Sequence, residues 1–189
     1  MRIAISGSHG TGKSTLIEAF LKRRPDYAHE PEAFESLADD VDLTFEEGPT
    51  EEGMALLLRH AIDSVARRRR DESVVFERSP VDYIAYAAAS ERTWSKAGVS
   101  RFLAEYAPVV RASIEDLDLI ALISVDSKGP GARAGEDPRF RRRVDRELKR
   151  ALLDDDHDLL GGPRSPRVIE LPAATERQLA TLEDLIAGA

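Results

Sequence analysis

Apolar and polar positions along this 189-residue chain follow two periods that take turns. Five short segments read as strands: residues 2–6, 27–30, 73–77, 119–125 and 167–171. The run at 119–125 (Leu-Ile-Ala-Leu-Ile-Ser-Val) is almost continuous, the pattern of a central parallel strand covered on both faces. Between the runs the spacing turns helical. Leu16, Phe20 and Leu21 share a side, and Met54, Leu57, Leu58, Ala61, Ile62, Val65 and Ala66 recur at i, i+3, i+4 and i+7. Helices are also predicted at 81–91 and 98–116, the second kinked at Pro108. Another carries Phe140, Val144, Leu148 and Leu152, and a last one Leu179, Leu182 and Ile186.

Punctuation sharpens these limits. Pro31 closes the second strand, and an acidic loop runs from there to about Pro49. Thr50 is placed to cap the helix that ends in Arg67-Arg68-Arg69-Arg70, read as a solvated helix end complementing the helix dipole. Residues 126–135 form a Gly/Pro-rich loop, after which Asp137 caps a helix with Pro138 at its first position. Strands alternating with helices predict an α/β fold: one domain over 1–189, three layers, a parallel five-stranded sheet.

Composition narrows the class. No apolar run approaches the ~20 residues that span a bilayer. The first strand starts at once, so no signal peptide is expected. The chain has no cysteine, which excludes disulfides, thiolate zinc sites and a cysteine nucleophile, and fits a cytoplasmic protein. A net charge of −8 argues against nucleic acid as a partner. The charge is unevenly placed. Between Pro25 and Leu58 stand 11 acidic residues and no Lys or Arg, whereas Lys128 to Arg150 is dominated by arginine.

The chemistry centres on Gly7-Ser8-His9-Gly10-Thr11-Gly12-Lys13-Ser14, which fits G-x-x-x-x-G-K-[ST] between a strand and a helix that includes Thr15. Glycines let successive N–H groups turn inward, and the helix N-terminus adds its positive dipole end. Lys13 is expected on the β- and γ-phosphates of a nucleoside triphosphate, and the Ser14 hydroxyl on Mg²⁺. At the end of the third strand stand Glu77, suited to hold Mg²⁺ through water, and Arg78, suited to the transferred phosphate. A surface ion pair is the plainer reading of that pair. Glu30-Pro31, at the end of the second strand, is a candidate general base, against the plainer reading of a solvated acidic loop. Arg133, Arg139, Arg142 and Arg143 are candidates for a closing lid over about 126–143, against a solvated basic helix face.

Together these segments resemble the P-loop nucleoside/nucleotide kinases, and within them the ribosylnicotinamide-kinase-like ATP-binding proteins and the deoxynucleoside kinases. The resemblance implies the P-loop NTPase/kinase fold with an arginine-rich lid, ATP and Mg²⁺ as cofactors, and a small-molecule acceptor. It implies Glu30 as the base, Glu77 as the Mg²⁺-associated acid and Arg78 as the phosphate-contacting arginine. Asp82 and Tyr83 would touch the acceptor, and adenine would lie near 172–177. Neither nucleic acid nor membrane is expected, and a homodimer is an option.

Competing readings differ in testable ways. GTPases use Asn-Lys-x-Asp for guanine, and this sequence has no asparagine. A monophosphate kinase wants arginine beside a dianionic acceptor, which the base-free stretch disfavours, although Arg59 or Arg78 would serve. A regulatory ATP-binding module would need the P-loop and no base. The expected acceptor is a neutral or cationic molecule with a free hydroxyl, a nucleoside first.

Overall fold

In the computed structural model, which describes residues 1–37, 50–91, 93–125 and 137–188, twelve elements alternate along the chain. They are β1 (Arg2–Ser6), α1 (Lys13–Arg23), β2 (Ala28–Glu30), α2 (Ala33–Leu37), α3 (Glu51–Arg67), β3 (Val74–Glu77), α4 (Pro80–Ala89), α5 (Lys96–Ile114), β4 (Leu119–Leu122), α6 (Pro138–Leu152), β5 (Arg167–Glu170) and α7 (Thr175–Ala187). The strands form one parallel sheet in the order β2-β3-β1-β4-β5.

Strand alternation divides the interior into two cores. Ala4, Val74, Phe76, Ile120 and Leu122 face the layer built from α3, α4, α5 and α6. Ile3, Ile5, Val75, Leu119, Ala121 and Ile123 face α1 and α7, where Leu16, Phe20, Leu179 and Leu182 meet them. Successive side chains leave opposite faces of a strand, so a central strand must be apolar on both. β3 and β4 are buried at every position, which the near-continuous apolar run predicts for β4.

The helices start where their capping residues stand. Thr50 and Ser95 accept from the N–H groups of Gly53 and Gly98, and the Asp137 carboxylate accepts from Arg139 N–H. Pro108 lies inside α5, which continues through it from Lys96 to Ile114. Two local expectations change. α2 occupies what reads as loop after Pro31, and Arg67 and Arg68 are not simply solvated, because both pair with Glu30. The expected loops over 38–49 and 126–135, with Arg133 and five of the 11 acidic residues, lie outside the described residues.

Candidate active site

The carboxyl ends of β1, β2 and β3 bring the candidate residues together, the end of a parallel sheet where ligands gather. β1 delivers the chain into Gly7, and there is no room for a larger residue. A Cβ on Gly7 would lie 2.7 Å from Ile123 O and 2.8 Å from Thr11 Oγ1. Gly12 enters α1 at φ +92°, left-handed backbone that favours glycine. Between them the loop curls over Lys13, whose ammonium donates to Ser8 O at 3.0 Å, as does the Thr11 hydroxyl.

Lys13 is held at about 7, first because it is buried and then because the Arg78 cation is close. Two further donors have no partner among the described residues. Ser8 Oγ and Arg141 Nε are both buried and unbonded. Arg141 reaches the loop from α6, donating to Gly10 O at 2.9 Å. A cradle with an ammonium, a guanidinium and an unsatisfied hydroxyl matches the oxygens of a polyphosphate.

At the first turn of α1, Ser14 Oγ donates to Glu77 Oε1 at 2.8 Å, and His29 Nε2 stands 3.9 Å from Glu77 Oε2. Ser14 and Glu77 offer hard oxygen donors of the kind Mg²⁺ prefers. No cluster of three or more His, Cys, Asp or Glu suited to a metal occurs among the described residues, so phosphates and water would have to complete the shell.

Arg78 is the hub. Its backbone is left-handed at φ +73°, and its side chain is buried. Nε donates to Glu32 Oε2 at 2.5 Å, and Nη1 donates to Gly7 O at 2.7 Å. Nη2 lies 3.2 Å from His9 Nδ1, and the guanidinium stacks 5.1 Å from the Tyr86 ring. Burial raises the Glu32 carboxyl, but the charges of Arg78 and then Lys13 outweigh it and hold the group below its usual range.

The Glu30 carboxylate, the candidate base of the sequence, pairs with Arg67 at 3.0 Å and Arg68 at 2.9 Å, whereas the acid paired with Arg78 is Glu32, which the sequence pattern does not single out. The two acids are two residues apart around a proline, and nothing in the local pattern separates them. Glu30 faces α3 as a strand residue, whereas Glu32 stands beyond the strand, level with Arg78.

Arg141, too, is not singled out by the sequence pattern, and it is the α6 arginine that reaches Gly10. Arg139 and Arg142 are exposed on α6, whereas Arg141 turns to the P-loop. Arg143 braces α6 from the other side, donating to Ala89 O at 3.3 Å and stacking 5.3 Å from the Phe140 ring. Phe140 meets Tyr86 at 6.0 Å, and Tyr86 meets His9 at 5.3 Å, so an aromatic row joins α6, α4 and the loop.

Asp82 was expected at the acceptor, but it has no exposed surface and its oxygens are committed within the protein. Tyr83 is buried and lines a cavity of about 10 Å³, water-sized, with Glu30, Pro31, Ser64, Phe76 and Arg78. Thr15 is exposed in the first turn of α1.

Deoxyadenosine kinase from M. mycoides with bound dATP superposes with a TM-score of 0.73 at 14% identity, over 99% of this chain and 100% of that one. Thymidylate kinase from Candida albicans gives 0.66 at 12%, over 99% and 91%. NadR protein in complex with NAD and AMP-PNP gives 0.69 at 19%, over 98% of this chain and 48% of NadR. No curated protein matches the sequence. No helix among the described residues is long and apolar enough to cross a membrane. The architecture is therefore that of the P-loop kinases. Residues 2–159 match the family model described as AAA domain, and the chain belongs to that family.

Proposed function

We propose that this protein is an ATP- and Mg²⁺-dependent kinase that moves the γ-phosphoryl group onto a hydroxyl of a small, nucleoside-like acceptor. The observation that carries the reading is the meeting of Lys13, Arg78 and Arg141 at one loop, with the Ser14–Glu77 pair at its far end. The neighbours with bound dATP and in complex with AMP-PNP support ATP as the donor.

Ser14 and Glu77 would hold Mg²⁺, which supplies neutralising charge to the phosphates when bound. Lys13 and Arg141 bind and orient the same oxygens. Arg78, already ordered, meets the charge that develops on the transferred group. Glu32 is ionised at neutral pH and stands against Arg78, so it accepts the acceptor hydroxyl's hydrogen bond and receives its proton late in transfer. We place the base role on Glu32 and give Glu30 to the fastening of β2.

ATP consumption with a panel of nucleosides, their monophosphates and small polar alcohols tests the function. Stimulation by a nucleoside, lost in Lys13→Ala, is expected. Glu32→Gln should reduce transfer by roughly 10²–10⁴-fold and leave ATP binding intact, whereas Glu30→Gln should keep transfer. No stimulation by any acceptor would leave a nucleotide-binding module. One observation favours a second acceptor class: Arg67 and Arg68 reach Glu30 on the wall of the small cavity, which brings guanidinium near the acceptor side. Preference for a monophosphate over its nucleoside would select that class.

A further inference from the structure

One carboxylate with no exposed surface ties the P-loop to the arginine beside it. Asp82 Oδ1 accepts from the Gly7 backbone N–H at 3.1 Å and from Arg78 Nη1 at 3.3 Å. Its Oδ2 accepts from the backbone N–H and the hydroxyl of Ser79, at 2.9 and 3.0 Å. The Oδ2 half is a helix cap: Ser79 and Asp82 form the reciprocal capping box of α4. The Oδ1 half adds nothing to that helix. It joins the first residue of the loop to the guanidinium, and Arg78 returns the link by donating to Gly7 O at 2.7 Å.

Two further facts give the link a purpose. Arg78 holds left-handed backbone at φ +73°, a conformation that survives in a residue with a side chain only where the surroundings impose it. A flexible arginine loses rotamer freedom each time it engages a phosphate, whereas a guanidinium already ordered does not.

We propose that Asp82 is a positioning residue for phosphoryl transfer: its buried carboxylate locks the Arg78 guanidinium to Gly7, so that the phosphate cradle and the phosphate-facing cation move as one body. The kcat part of the test rests on the kinase reading above, and the ATP-affinity part does not.

Asp82→Asn keeps the shape of the side chain. Since all four partners are donors, its amide NH₂ must face donors on one side or the other. The variant should lose about 10²-fold in kcat, the scale of a small misplacement of a catalytic group, and about tenfold in ATP affinity read from the nucleotide dependence of Tm. Arg78→Ala combined with Asp82→Asn should be no worse than Arg78→Ala alone, in both readouts, because the two residues act as a unit. Ser79→Ala, which removes only the cap hydroxyl, should lower Tm while kcat and ATP affinity stay near wild type.

Additive losses in the double variant, unchanged ATP affinity in both single variants, or a Ser79→Ala enzyme as slow as Asp82→Asn would each overturn the proposal. If Asp82→Asn does not fold, Arg78→Lys asks the same question, because an ammonium keeps the charge but cannot span Gly7 O, Asp82 and Glu32. Wild-type transfer and ATP affinity in Arg78→Lys would overturn the role, and ATP affinity as weak as in Arg78→Ala would uphold it. If no acceptor is phosphorylated while the ATP-affinity cycle is non-additive, the kinase reading falls and the lock that Asp82 places between Gly7 and Arg78 stands for nucleotide binding alone.

Discussion

Lys13 carries a pH signature. The unfolded chain titrates this lysine at the ordinary 10.5, while burial and then Arg78 bring the folded value to about 7. Between those values the unfolded state binds more protons, so stability rises with pH across the window. Denaturant unfolding at pH 7.5 and 9.5 should show that rise, and Lys13→Met should flatten it. Phosphate oxygens restore the charged form, so ATP binding above pH 7 should take up protons and weaken as pH increases. Calorimetric titration in buffers of different ionisation enthalpy reads that uptake directly. The same scale separates the arginines of the lid helix. Arg141→Ala should reduce transfer by roughly 10–10²-fold, while Arg139→Ala and Arg142→Ala change it little, because only Arg141 of the three touches the loop. Equal losses in all three variants, measured as kcat on one acceptor, would show that α6 acts through its overall charge.

At the scale of elements, β2 is the weak point of the sheet. It is a strand of three residues, Ala28–Glu30, and among the described residues it pairs only with β3. Glu30 fastens it to the end of α3 through two charge-assisted contacts, to Arg67 and Arg68. Burial raises the Glu30 carboxyl, but hydrogen bonds from Arg68 and Ser64 and the Arg68 charge leave its pKa lowered. Its contribution is present above the unfolded value of 4.5 and disappears as pH falls through the lower folded value. Both arginines are partly exposed, so Glu30→Gln should destabilise by only about 1 kcal/mol at pH 7. The gap to wild type should close in acid, as followed by denaturant midpoints from pH 7 to pH 3. Element order was legible because apolar runs and capping residues such as Thr50 and Asp137 act locally. The partner of each charged side chain was not legible. Glu30 and Glu32 differ by which side of a strand end they leave, and Arg141 differs from Arg142 by 100° of helical turn. Both depend on packing between elements distant in sequence.

Across the whole molecule, the two cores have unequal weight. The side covered by α3 to α6 holds most of the buried apolar residues, while α1 and α7 close a smaller one around Phe20 and Leu179. β1 is shared: Ile3 and Ile5 enter the smaller core and Ala4 the larger, and the P-loop leaves from its end. The loop is also sewn to the larger side by Asp82 and Arg141, and it runs directly into α1 on the smaller side. A nucleotide held there grips both halves at their seam. In amide hydrogen exchange, α1 and α7 should open at lower free energy than β3 and β4 in the free protein. ATP should then slow the exchange of α7, an element remote from the phosphates, because releasing that layer would require the P-loop to let go of its ligand.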